Sequence, residues 1–274
     1  MSEAPPKHVV RFAALRRVAG HLRRALFYRD YDAEAYWRAR AAQPGQASVL
    51  WRNETYNRCY RERQRDILAE LSATLPDDAR VLDVGCGVGV VAEMLVELHP
   101  TLSVDAVDYP EMIAVARRER DHLRITWHEG SAEGWSPRGA RFDMVLSSAC
   151  YSAIRDLPAM WRAIDTGAVM VAPGGRMVMM DPFHRWAYLA RARVSSGEIA
   201  RRLTGRGFVL ERRSGVLFWP FREWLANADL PADTVERRFA LGERLLRLLG
   251  PHAWGDYKIL VFRRTDDAGS QRHE

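Results

Sequence analysis

The stretch Val81-Leu-Asp-Val-Gly-Cys-Gly-Val-Gly-Val-Val91 decides the fold. Its apolar start reads as a buried strand, its alternating glycines as a tight turn, and Val90 and Val91 as the entry to a helix. Gly85, Gly87 and Gly89 permit left-handed backbone and let a ligand come closer than a Cβ would allow. Dinucleotide-binding folds open with a similar turn, so the glycines alone leave the ligand undecided. Two details narrow the choice. The spacing is G-x-G-x-G rather than G-x-G-x-x-G, and Asp83 stands two positions before the first glycine. A carboxylate there repels a pyrophosphate at the helix N-terminus but suits a ligand carrying an ammonium and a sulfonium.

S-adenosylmethionine is such a ligand. Here the chain resembles the class I S-adenosylmethionine-dependent methyltransferases, whose first motif reads (V/I)LD(V/I)GCGxG. Three further stretches carry the resemblance. Thr101-Leu-Ser-Val-Asp-Ala-Val-Asp108 is an apolar run ending in an acid that can accept bonds from both ribose hydroxyls. The helix start that follows implies Tyr109, Met112 and Ile113 beside the adenine. In His128-Glu-Gly-Ser-Ala-Glu133 the family carries an acid for the adenine amino group; this chain has Ser131, whose hydroxyl would act with the Ala132 backbone. Phe142-Asp-Met-Val-Leu-Ser-Ser148 is similar to the strand that closes the cofactor pocket and brings Ser147 to it. Cys86 packs its small side chain inside the glycine loop. Taken singly, Asp83 and Asp108 could be ordinary turn acids; their order and spacing with the glycines argue otherwise.

The resemblance implies a Rossmann-like α/β fold with a seven-stranded sheet, six strands parallel and the seventh antiparallel between the fifth and sixth. Apolar runs near 80–84, 103–107, 124–127, 142–147 and 175–180, with helical stretches between, agree with it. A sixth strand is expected over Val209–Phe218 and a seventh over Tyr257–Phe262. Residues 1–75 read as a basic N-terminal helix followed by lid helices. Residues 76–264 read as the methyltransferase core, with a helical insertion at 221–250, and 265–274 as a disordered tail. Ser195 and Glu198 have the spacing of a capping box.

Hydrophobic residues make up 47% of the 274, ample for a core, and no run approaches the ~18 unbroken apolar residues of a membrane span. Cys59, Cys86 and Cys150 form neither a disulfide framework nor a metal spacing, and no metal is expected. The N-terminus lacks a secretory apolar core, so a cytoplasmic location is expected. The net charge of +6 resides entirely in residues 1–29, which hold seven cations and one acid. Of the 41 basic residues only Lys7 and Lys258 are lysines, a bias better explained by genomic composition than by phosphate binding. The balanced remainder argues against a nucleic-acid partner. Phe12, Leu15, Val18, Leu22 and Leu26 repeat at helical spacing opposite arginines, which fits a helix docked on the domain with a solvated face. The sharper reading of residues 8–27 is a peripheral contact with the inner face of a membrane.

Inserted elements at the carboxyl ends of the strands set the acceptor in this fold. The candidates are the lid around Tyr56 and Tyr60, the loop holding Tyr151, the loop holding His184, and the insertion beginning near Trp219. Methyl transfer is an in-line displacement, so positioning supplies much of the rate, while a hydroxyl acceptor also needs a base. His184 is the first candidate base, because Asp181 could orient its imidazole; Tyr151 and His252 are the next. Residues 147–150 lack the Asn/Asp-Pro-Pro-aromatic tetrapeptide of adenine and glutamine amino-methylating enzymes. Gly255-Asp-Tyr-Lys-Ile-Leu260 is similar to methyltransferases of polysaccharide and glycolipid assembly. The expected reaction is therefore O-methylation of a small molecule or a carbohydrate or lipid-linked glycan. The alternatives are N- or C-methylation of a natural-product metabolite and a non-catalytic S-adenosylmethionine-binding subunit.

Overall fold

The computed structural model describes residues 33–42, 50–137, 139–183 and 194–265. The basic stretch 8–27, the break at 43–46, His184 and the tail beyond Thr265 lie outside the described residues.

Five strands run parallel: β1 (Arg80–Val84), β2 (Ser103–Asp108), β3 (Ile125–Glu129), β4 (Phe142–Ser148) and β5 (Val171–Asp181). β7 (Gly255–Arg264) lies antiparallel between β5 and β6 (Phe208–Phe218). The order across the sheet is β3-β2-β1-β4-β5-β7-β6, the expected seven-stranded Rossmann-like arrangement.

The helices are α1 (Ala33–Arg40), α2 (Glu54–Ser72), α3 (Val90–Leu98), α4 (Pro110–Glu119), α5 (Leu157–Met170), α6 (Ser196–Thr204), α7 (Trp219–Leu225), α8 (Ala232–Leu249) and α9 (Pro251–Trp254). Side chains alternate across each strand, so the sheet is buried on both faces and its parallel strands read as continuous apolar runs. Val81 packs with Ile67 and Leu68 of α2 and Leu95 of α3 on one face. Leu82 and Val84 pack with Met160 and Ile164 of α5 and Ile199 of α6 on the other. Each such fully buried aliphatic contributes about 1.5–3 kcal/mol.

Local chemistry sets the helix starts. Asn53 caps α2 by accepting the Tyr56 amide at 2.8 Å. Ser195 and Glu198 form the expected capping box on α6. The insertion is larger than the sequence suggests: three helices run from Trp219 to Trp254, because Pro220 and Pro251 each open a helix at a position needing no amide donor. No helix among the described residues is long and apolar enough to cross a membrane.

β1 stands between β2 and β4, where the order of strands along the sheet reverses. Ligands in open α/β sheets bind in the crevice outside the strand ends at such a point. Here that crevice is bordered by the ends of β1, β2 and β4.

Candidate active site

Asp83 occupies the next-to-last position of β1 and is 1% exposed. Neither carboxylate oxygen accepts a hydrogen bond of normal geometry among the described residues. Burial, and secondarily the nearby charge of Asp108, push its pKa up to about 7, while the charge of Arg61 and the Ala92 amide pull the other way. A buried carboxylate with so little hydrogen bonding is costly. It is chemically suited to a cationic group brought in by a ligand.

Asp108 ends β2 and ties the glycine loop to it. Its Oδ2 accepts the Gly87 amide and its Oδ1 the Tyr109 amide, each at 2.7 Å. Burial still raises its carboxyl to about 6 against those two bonds. Each oxygen keeps a second lone pair, so the ribose-binding reading and the loop-fastening role are compatible.

Gly85, Gly87 and Gly89 all have positive φ, at 70°, 57° and 83°. Close approach also involves neighbouring side chains as well as a ligand. A Cβ on Gly85 would collide with the Cys150 sulfur, and one on Gly89 with the Trp127 ring. Cys86 is buried, and its thiol is pushed well above the usual range by burial. Across the crevice, Ala149 takes the left-handed conformation at φ 64°, a strain of the kind that gathers at functional sites.

Tyr109 is half-buried, with the Arg38 guanidinium 5.5 Å from its ring centre. Met112 is buried with Val88 and Val90, against Trp37 of α1. Ser131 leaves β3 in a turn, its carbonyl accepting the Gly134 and Trp135 amides, while Ala132 packs on the α5 side of the core. Ser147 is turned away from the lid: its hydroxyl donates to Asp181 Oδ2 at 3.2 Å. Ser148, its neighbour, meets α2 instead, accepting from Gln64 Nε2 at 2.9 Å.

The lid tyrosines form an aromatic group with residues distant in sequence. Trp51 meets Tyr56 and Tyr60 edge-on at 5.4 and 5.6 Å, and Tyr257 of β7 lies 5.7 Å from Tyr60. Tyr56 also meets Phe239 of α8 at 5.5 Å. Both tyrosines are almost fully buried, and burial raises their phenol pKa values.

Tyr151 does not fit the role of base. It is fully buried among Met160, Ala163 and Ile164, with its hydroxyl against Gly167 of α5. That hydroxyl has no hydrogen-bond partner among the described residues, and burial drives its pKa well above the usual value. Asp181 is equally buried: Ser152 donates its amide to Oδ1 at 3.0 Å, and burial lifts the carboxyl to about 6. His252 shares a hydrogen bond of 2.9 Å with Ser196 at the start of α6. Trp219 opens α7 and is 40% exposed.

Arg61 was not among the residues singled out in the sequence. Its Nη1 donates to Gln64 Oε1 at 2.5 Å and its guanidinium lies 5.9 Å from the Tyr60 ring centre. Burial lowers its pKa, and the charges of Asp83 and Arg61 favour each other's ionised forms. A cation between Tyr60 and Gln64 on a helix face otherwise made of aromatic and amide groups was the available signal. In β7, Tyr257 turns toward the lid, Asp256 pairs with Arg222 of α7 at 2.8 Å, and Lys258 donates to the Gly255 carbonyl at 2.5 Å.

The residues brought together are thus Asp83, the glycine loop and Asp108 on the strand side, with Tyr60, Arg61, Gln64 and Ser148 on the lid side. A carboxylate for an ammonium, a second at the next strand end and a glycine turn between them fit S-adenosylmethionine.

Known proteins agree. Residues 56–225 match a family model described as a methyltransferase domain. A ubiquinone biosynthesis O-methyltransferase of Azorhizobium caulinodans is 26% identical over 191 residues, covering 60% of this chain and 71% of that protein. A trans-aconitate 2-methyltransferase of Variovorax paradoxus is 30% identical over 143 residues, 49% of this chain and 51% of that one. In structure, the N-methyltransferase NodS of Bradyrhizobium japonicum, solved with S-adenosylhomocysteine, superposes with a TM-score of 0.56 at 20% identity, covering 85% of this chain and 99% of its own, and so shares the fold. With that fold, that glycine loop and that family match, the chain belongs to the methyltransferase-domain family and is a class I S-adenosylmethionine-dependent methyltransferase.

Proposed function

We propose that this methyltransferase modifies a hydroxyl group, on a small molecule or on a carbohydrate or lipid-linked glycan. The observation that carries the reading is the placement of Ser148, Gln64 and Tyr60 in one hydrogen-bonded group, with Asp83 and Arg61 beside it. Asp83 would hold the cofactor's ammonium, Asp108 its ribose, and Arg61 its carboxylate, by charge complementarity. The bound cofactor supplies an electrophilic methyl group on sulfur, whose departure needs no further activation.

The chain's own task is then to present an oxygen in line and exclude water. Gln64 and Ser148 offer neutral donors and acceptors suited to orienting a hydroxyl, and the Trp51–Tyr60–Tyr257 group offers apolar faces for a ring. The O-methylating activity named for the Azorhizobium relative supports an oxygen acceptor. Proton removal is assigned to His184, three residues beyond the end of β5; Tyr151 is withdrawn from that role by its burial.

The test is methyl transfer from labelled S-adenosylmethionine to a panel of phenols, hydroxy acids and glycans, with amines for comparison. Transfer to a hydroxyl acceptor that falls at least tenfold in His184→Ala, with cofactor affinity unchanged, supports the reading. Transfer to amines alone would replace it with N-methylation.

A further inference from the structure

We propose that the outward face of α8 and α9 docks on an anionic lipid bilayer. The face exposes large apolar side chains to solvent. Leu241, Leu248, Leu249 and Trp254 are 47%, 81%, 50% and 42% exposed. Leu241 and Leu248 are seven residues apart, two turns along one side of the helix, while Val235, Gly242 and Leu246 face the protein. Arg244 lies between the two leucines on that side, and Arg247 precedes Leu248; both are exposed.

The charge of the face is one-sided. α8 contains three acids, and each already has a partner. Asp233 pairs with Arg237 at 2.9 Å, Glu236 with Arg58 of α2, and Glu243 accepts the Leu217 amide at 2.9 Å beside Arg63. Arg244 and Arg247 form no ion pair among the described residues. Leucines and a tryptophan flanked by arginines match an interface in which apolar groups enter the acyl boundary and guanidinium groups meet lipid phosphate.

Charge also decides between occupants. A second copy related by a two-fold axis would set arginine against arginine. The segment 1–29 carries seven cations against one acid and has the same sign. An anionic bilayer complements the face. Its position suits access to a membrane-held acceptor, because α9 runs directly into β7, whose Lys258 stands in strand register with Asp181 at the carboxyl end of β5. The docking stands independently of which atom is methylated.

The experiment is co-sedimentation of the full-length protein with vesicles of phosphatidylcholine alone and of phosphatidylcholine mixed with phosphatidylglycerol. The wild type is expected to bind the mixed vesicles, less so in added salt, and to leave the neutral ones free. The paired variant Leu248→Glu/Leu249→Glu should lower partitioning at least about tenfold, and Arg244→Gln/Arg247→Gln about tenfold, with circular dichroism and melting unchanged. The exposed control Leu123→Glu should bind as the wild type. Undiminished binding by both paired variants would overturn the proposal and move the contact to residues 1–29. A wild type that ignores vesicles but forms a dimer dissociated by Leu248→Glu/Leu249→Glu would also overturn it, making the face a self-interface.

Discussion

Replacing Asp83 by asparagine separates the charge at the centre of the site from its shape. Burial raises the carboxyl from its ordinary 3.8 to about 7 in the folded protein. The sign follows from proton linkage: a group whose folded pKa is raised binds its proton more tightly when folded. Its ionisation therefore opposes folding progressively as pH climbs from 3.8 through 7. The difference of about three pH units corresponds to about 4 kcal/mol of opposition above pH 7, of which roughly a third is already present at pH 5. Asp83→Asn removes that opposition and substitutes a buried amide costing about 1–3 kcal/mol at every pH. The stability of the variant relative to wild type should accordingly rise by about 2–3 kcal/mol between pH 5 and pH 8. The assay is urea unfolding of ligand-free protein at both values. A difference independent of pH would refute the reasoning, since it would mean that Asp83 ionises as freely in the folded chain as in the unfolded one.

Other perturbations test other parts of the structure. Asp256→Asn leaves the Arg222 guanidinium, 6% exposed, without its 2.8 Å carboxylate partner, and unfolding should show a loss of about 3–5 kcal/mol; Arg222→Met with Asp256→Leu should recover most of it. Tyr151→Phe removes a hydroxyl that has no hydrogen-bond partner among the described residues, so turnover should hold and stability should stay level or rise by about 1 kcal/mol; a hundredfold fall in turnover would restore Tyr151 to the chemistry. Gly85→Ala forces a Cβ into the Cys150 sulfur at a φ of 70° and should cost about 1–3 kcal/mol by thermal melting, with part of the loss recovered by Cys150→Ala.

The features legible in the sequence are those set by local periodicity. The β1–glycine–α3 unit, the Ser195–Glu198 capping box and the strand runs depend on neighbours within a few positions, and the structure reproduces them. Side-chain direction after β4 was harder to read. Ser147 and Ser148 point to opposite faces of the sheet, so a one-residue difference sends one to Asp181 and the other to Gln64. Tyr151 looks like a pocket residue in the chain, yet the short 3₁₀ turn at Tyr151–Ala153 carries its ring under α5. Tyr60 and Tyr257 are 197 positions apart, and nothing local could show that they meet. The third helix of the insertion was missed because four residues are too few to show a helical period.

The most direct measurement is calorimetric titration of wild type and Asp83→Asn with S-adenosylmethionine at pH 8, where the carboxyl is ionised. If Asp83 is the ammonium partner, the wild type binds in the micromolar range and the variant at least about a hundredfold more weakly, the loss expected when one member of a buried charged pair is removed. Equal affinity in the two proteins would contradict the assignment of Asp83 as the cofactor's anchor.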